Sequence, residues 1–269
     1  MSSIASVLPG WMYYVFAGVL GACVGSLLNV CIVRIPREES IVWPPSHCRH
    51  CDHHISWWEN VPLLSYIILR GRCRECGEPI SPRYTAVELL TIGFSIATWW
   101  RFHDVRYYLA YFFLFIAPLI VVSFIDIAHR IIPDVISIPG IAAGFAVNIL
   151  FAGRGGYGAA AIDSLLGMII GGGFLFIVAT AYEKIKKIEG MGGGDVKLAA
   201  MLGAFFGWRA SIFILLVSSV TGSFFGLVLI LLMRKTVKYA IPFGPFLAIG
   251  GLVYLFFGQR LINWYLGLF

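Results

Sequence analysis

The sequence predicts an all-α polytopic membrane fold of about eight transmembrane helices, with a small polar domain inserted after the first. Three observations lead to this. Of 269 residues, 59% are hydrophobic and only 13% charged, whereas soluble domains carry about 25% charged residues. The mean hydropathy is +0.85. Apolar runs long enough to cross hydrocarbon, roughly 17–25 residues each, recur along most of the chain.

The first run spans Trp11 to Val33. No cationic segment precedes it and no convincing cleavage site follows, so it reads as a retained helix. A polar stretch from Arg34 to Arg83 comes next. Further spans are expected at Tyr84–Trp100, Tyr107–Ile125, Val135–Phe151, Ala159–Ala181, Val196–Trp208, Ser211–Met233 and Pro242–Phe257. The sixth of the eight is short for a full crossing, which would place Asp195, just before it, at membrane depth. The expected partition is a first transmembrane helix over 1–33, a polar domain over 34–83 and a helical core over 84–269.

Eight crossings put both termini on one side. The loops on the polar-domain side carry fourteen Lys and Arg residues, among them Arg34, Arg70, Arg83, Arg130, Lys184 and Lys235. The opposite loops carry five: Arg101, Arg106, Arg154, Arg209 and Arg260. This asymmetry predicts a multi-pass protein with the polar domain cytoplasmic and both termini external. The net charge of +6 is accounted for by these loops, and no nucleic-acid partner is expected; membrane lipid is. Gly21-x-x-x-Gly25, Gly167-x-x-x-Gly171 and Gly203-x-x-x-Gly207 read as close-packing faces between helices.

The polar domain contains Cys48-Arg-His-Cys51 and Cys73-Arg-Glu-Cys76. Two C-x-x-C pairs are the spacing of paired zinc knuckles, each giving two thiolates to one tetrahedral ion. The 21 residues between Cys51 and Cys73 slightly exceed the usual gap. Disulfides are the alternative, disfavoured in a reducing compartment. Four cysteines fill the coordination sphere, so the zinc is expected to be structural. His47, His50, His53 and His54 are possible competitors as ligands. Cys23 and Cys31, inside the first span, read as small apolar residues.

Two carboxylates stand at the edges of apolar runs, where an ionised group is costly and usually functional. Asp126 lies in Phe124-Ile-Asp-Ile-Ala-His-Arg-Ile-Ile-Pro-Asp134, and Asp195 in Gly190-Met-Gly-Gly193-Gly194-Asp195-Val-Lys197. On the charge asymmetry both fall at the cytoplasmic edge. A close pair of carboxylates can share a proton, one activating water while the other polarises a carbonyl. The competing account has each aspartate capping a helix or pairing with a basic residue. For Asp134, directly after Pro133, helix capping is the preferred reading. Asp163, on the external side, also reads as structural.

Over nearly its whole length the chain resembles the type IV prepilin peptidase family, relatives of the wider Gly-x-Gly-Asp membrane aspartic proteases. The resemblance rests on an ordered set of motifs. These are Gly21-Ala-Cys-Val-Gly25-Ser-Leu-Leu-Asn29, Arg34-Ile-Pro36, both C-x-x-C pairs with Asn60-Val-Pro62 between them, and Tyr84-Thr-Ala-Val-Glu88. Asp126 with Ile132-Pro-Asp134, Gly193-Gly194-Asp195-Val-Lys197 and Pro242-Phe-Gly-Pro245 complete it. The resemblance implies Asp126 and Asp195 as the catalytic pair. It also implies cleavage of the leader of prepilins or type II secretion pseudopilins on the cytoplasmic side. N-methylation of the new N-terminal residue with S-adenosylmethionine would follow. Relatives lacking the cysteine domain are peptidases only, which ties methylation to that domain. Which residues hold the methyl donor is not legible in the sequence, and no dinucleotide-type glycine loop is present.

Gly193, Gly194, Lys197, Asn29 and Glu88 are supporting candidates. Lys197 is open to three readings: tuning Asp195, holding a substrate carboxylate, or reaching out to the membrane interface. Asn29 and Glu88 read as interhelical hydrogen-bonding groups or as substrate contacts. A proton-coupled transporter using the same carboxylates is the alternative function. Transport needs polar groups at mid-membrane and on both faces, whereas these aspartates gather on one.

Overall fold

The computed structural model describes residues 9–152, 156–187, 192–233 and 241–267. Arg154, Gly190, Met191, Arg234, Lys235 and Lys238 lie outside the described residues. Within them the ordered structure is helical, apart from two isolated bridges that pair His47 with His54 and Arg72 with Pro79. The helices are α1 (Gly10–Arg34), α2 (Leu64–Ile68), α3 (Pro82–Phe102), α4 (Val105–Tyr111) and α5 (Ala117–His129). They continue with α6 (Asp134–Leu150), α7 (Gly156–Lys186), α8 (Gly193–Met233), α9 (Gly244–Val253) and α10 (Gln259–Leu266). A wide helical turn over Phe112–Ile116 joins α4 to α5.

Among the described residues four helical stretches, not the expected eight, are long and apolar enough to cross a membrane: Gly10–Arg37, Val105–His129, Gly156–Lys186 and Gly193–Leu231. Asp134–Leu150 and Gly244–Gly258 are apolar but shorter. Large apolar side chains such as Phe16, Val19, Ile169, Phe176, Phe224 and Leu231 stand exposed on these helices. On a soluble protein so many would be a liability; in hydrocarbon they face their natural solvent.

The chain forms two compact units, Met1–Val121 and Val122–Phe269. In the first, α1 and α3 pack through the glycines the sequence singled out. A Cβ on Gly21 would lie 2.8 Å from Ser95 Cβ and 2.9 Å from the Ile92 backbone, and one on Gly25 2.9 Å from the Glu88 backbone. Only glycine permits that approach. Ser95 donates to the Ala17 carbonyl at 2.6 Å and meets the Tyr108 hydroxyl at the same distance. Helix α3 begins with Ser81 as its N-cap, accepting from the Arg83 N–H, and with proline in its first turn.

In the second unit α8 departs from expectation in an instructive way. A rod of 41 residues would be about 60 Å long, twice the hydrocarbon thickness. Gly207, however, has φ 80° and ψ −175°, outside helical space. A Cβ on Gly171 of α7 would touch both the Ala199 carbonyl (2.7 Å) and Ser211 Oγ (3.5 Å). Twelve residues of continuous helix would hold those groups about 18 Å apart. The chain therefore doubles back at Gly207, near the boundary expected between the sixth and seventh spans. Ser211 clamps the turn, donating to the carbonyls of Gly167 (2.9 Å) and Gly207 (3.0 Å). Gly167 and Gly203 meet backbone to backbone, and Gly207 faces the Asp163 carboxylate.

Candidate active site

Asp126 lies on α5, one turn before the helix ends at His129. It is 4% exposed. Its Oδ2 accepts a hydrogen bond of 2.9 Å from the backbone N–H of Gly244, the first residue of α9. A helix N-terminus offers unpaired N–H donors and the positive end of the helix dipole, which suits a carboxylate. The docking requires glycine: a Cβ on Gly244 would sit 2.7 Å from Asp126 Oδ2 and 3.2 Å from Ile132 Cδ1.

Asp195 lies in the first turn of α8, half-buried, with its N–H donated to the Gly192 carbonyl at 3.1 Å. It is linked to the Asp126 site through Ile132, which lies against both Gly194 and Gly244. Gly194 lets this turn press on the loop after α5, since a Cβ there would lie 2.7 Å from Ile132 Cβ. Gly193 has open space beside it. Ile132 thus touches both glycines that flank the carboxylates. The sequence had marked Ile132 only as part of a motif.

Asp134 does not cap its helix. Pro133 occupies the N-cap position of α6, without a side-chain cap. The Asp134 carboxylate instead receives Lys197 Nζ on both oxygens, each at 2.7 Å. Proline at the cap leaves Asp134 inside the first turn, turned toward the lysine two residues beyond Asp195. Of the three readings open for Lys197, the structure shows a fourth, a tie between α6 and α8.

In the first unit the four cysteine sulfurs all lie within 4.8 Å of one another. Cys48 and Cys76 Sγ are 3.8 Å apart, Cys51 and Cys73 3.9 Å. Tetrahedral thiolates at about 2.3 Å from a metal are about 3.8 Å from each other. The donor set fits. Each pair sits on the same turn. The N–H of Cys48 donates to His53 O and that of Cys73 to Glu78 O; Asp52 and Gly77 return N–H groups to Cys48 O and Cys73 O. Asp52 and Gly77, each four residues after its cysteine, both adopt positive φ.

Around this centre stand Arg34, Glu59, Asn29 and Glu88, of which sequence reading passed over Glu59. Arg34, buried at the end of α1, donates to the carbonyls of Ser40 (2.8 Å) and Pro44 (2.7 Å). Glu59 is buried, and its Oε2 accepts from the Ser56 N–H at 2.9 Å and from His53 Nε2 at 3.3 Å. The Ser56 N–H, with His53 and Arg74 nearby, holds its carboxyl below the usual carboxylate range. Asn29 donates to the Tyr84 carbonyl at 3.0 Å, and Glu88 accepts from the Leu63 N–H at 2.9 Å. Both side chains thus bind backbone at the polar end of the α1–α3 pair.

Comparison with known proteins agrees with the motifs. Residues 19–102 match the Bacterial Peptidase A24 N-terminal domain, and residues 113–227 match the Type IV leader peptidase family. A protein of Aeromonas hydrophila named prepilin leader peptidase/N-methyltransferase is 37% identical over 98% of this chain and 97% of its own length. Proteins of the same name from Myxococcus xanthus and Legionella pneumophila are 42% and 36% identical, over 84% and 96% of this chain and 67% and 96% of their own. No solved structure matches. On the family model, and on this identity over almost the full length of both chains, the protein belongs to the type IV leader peptidase family.

Proposed function

We propose that this protein cleaves the leader of type IV prepilins or type II secretion pseudopilins and then N-methylates the residue exposed. The observation that carries the reading is that Ile132 lies against both Gly244, whose N–H donates to Asp126, and Gly194, which directly precedes Asp195. In this scheme one carboxylate, ionised, takes a proton from water, and the other, protonated, donates to the scissile carbonyl. The Gly244 N–H steadies one partner so that the other carries the shared proton. Lys197 and Asp134 stay outside the proton transfer and hold α6 and α8 in register.

Cys48, Cys51, Cys73 and Cys76 hold one structural zinc, the metal that best fits four thiolates. The methyl donor is S-adenosylmethionine, which when bound supplies an electrophilic methyl whose C–S bond pair departs with sulfur. The amine nitrogen of the cleaved pilin, deprotonated, supplies the pair for the new C–N bond. The charge asymmetry supports eight crossings, with the cysteine domain and both aspartates cytoplasmic and both termini external. The transporter alternative finds no support in the family.

The test is incubation of the purified protein with a prepilin, followed by N-terminal sequencing of the product. Asp126→Asn and Asp195→Asn are each expected to abolish cleavage while the protein still inserts and accumulates, because an amide neither takes nor gives the required proton. Asp134→Asn is expected to retain most activity. Near-normal cleavage by either of the first two variants overturns the assignment.

A further inference from the structure

Within the polar stretch, α2 carries an apolar face that the rest of the first unit leaves uncovered. Leu64, Ile67 and Ile68 are 58%, 71% and 70% exposed. Their spacing gathers them on one side of the helix. Ser65, Tyr66 and Leu69, on the other side, line a cavity of the first unit.

Where α2 is held decides what covers the outer face. Glu88 of α3 stands level with Gly25 of α1, whose added Cβ would lie 2.9 Å from the Glu88 Cα. Gly25 is nine residues short of the end of α1 at Arg34, a depth of about 13 Å. That helix belongs to a stretch long and apolar enough to cross a membrane. The Leu63 N–H, directly before α2, donates to Glu88 at 2.9 Å. Past the other end of α2, the Gly71 carbonyl accepts from the N–H of Ile80 at 2.7 Å, two residues before α3 begins. Both ends of α2 are thus tied to the start of α3, beside the paired membrane helices. A helix of five residues, about 7 Å long, is too short to cross and suits the boundary layer. Arg70 and Arg72 follow it directly, and both are exposed.

We infer that α2 is an interfacial anchor of the polar domain. Leu64, Ile67 and Ile68 insert among the acyl chains of the leaflet at the polar end of α1 and α3, and Arg70 and Arg72 meet its phosphates. The inference rests on α1 crossing the membrane and is independent of the peptidase and methyltransferase readings. Three large apolar side chains on one face are costly in water and are covered by hydrocarbon. An arginine stem lies along apolar surface while its guanidinium stays at the headgroups, and a basic pair at that level favours anionic lipid. The anchor is a third attachment of the polar domain, besides its chain connections to α1 and α3, and it sets the height of the domain over the bilayer.

The full chain is reconstituted in bilayer discs of phosphatidylglycerol or of phosphatidylcholine. Each is doped with a phospholipid carrying a photoactivatable carbene precursor in its acyl chain. After irradiation, adducts mapped by mass spectrometry are expected on Leu64, Ile67 and Ile68. Phe16 and Val19, exposed on α1, are the reference for hydrocarbon. In parallel, phenylglyoxal is expected to modify Arg70 and Arg72 at least about 5-fold more slowly in phosphatidylglycerol than in phosphatidylcholine discs. Adducts on α1 with none on Leu64–Ile68 overturn the proposal and leave the crossing of α1 standing. Absence of adducts on α1 as well overturns both. Equal modification rates in the two lipids overturn the role given to the arginines. Photo-cross-linking of Leu64–Ile68 to a second copy of the chain, in place of lipid, assigns the face to a protein partner and overturns the anchor.

Discussion

At Gly244 a single hydrogen atom separates the observed geometry from a broken one. Any larger side chain pushes Asp126 off the N-terminus of α9, because the new Cβ would stand 2.7 Å from the accepting oxygen. Displacements near 1 Å in catalytic groups cost on the order of 100-fold. Gly244→Ala is expected to lower kcat/KM for leader cleavage by about that factor, with accumulation unchanged; wild-type kinetics would show that Asp126 does not depend on this N–H. Lys197 and Asp134 behave differently. Their side chains are 40% and 55% exposed, and exposed pairs contribute only about 0–1 kcal/mol. Lys197→Met and Asp134→Asn are expected to have small effects on thermal stability, and the double variant no more than the larger single one. Additive losses would mean that each residue has a partner other than the other.

The decisive element is α8, because its reversal at Gly207 packs two arms against α7. Positive φ with extended ψ is a region that side chains rarely enter, and the space beside Gly207 is already filled by Asp163. Gly207→Ala is expected to destabilise the second unit by about 1–3 kcal/mol, read as a lower Tm in detergent. Gly158→Ala on α7 is the control. No atom lies within 4 Å of its added Cβ, so its Tm is expected to stay equal or rise slightly. Equal behaviour of the two variants would contradict the reversal. The glycine spacings were legible in the sequence as packing faces, and they pack as such. Their partners were not, since Gly167 meets a segment thirty-six residues on.

For the molecule as a whole, two compact units and two matched segments point to separable reactions. Replacing Cys48 and Cys51 with serine is expected to remove about one zinc per chain, unfold the knuckles and depress methylation strongly. Cleavage is expected to fall less, only as far as the cysteine domain helps seat the substrate. Asp195→Asn is expected to methylate a supplied, already cleaved pilin. Both steps are assayed on the same variants with a radiolabelled donor, and normal methylation by the cysteine variant would refute the division.

Hydropathy, cysteine spacing and the glycine-aspartate motifs are local properties, and the sequence by itself determined what depends on them. It determined the helical membrane class, the four cysteines that cluster and the two candidate carboxylates, but not the eight spans, since four helical stretches among the described residues are long and apolar enough to cross a membrane. Partner choice is not local. Asp126 finds its donor 118 residues away, and Asp134 its lysine 63 away. Asp134, read as a cap, became half of an ion pair because Pro133 took the cap position and α8 brought Lys197 alongside. Glu59 drew no attention because a lone glutamate in a polar loop is ordinarily solvated. Only the folding of the knuckles around it buried its carboxylate against the Ser56 N–H and His53. Burial and long-range contact belong to the packed chain, and the tertiary structure alone decided them.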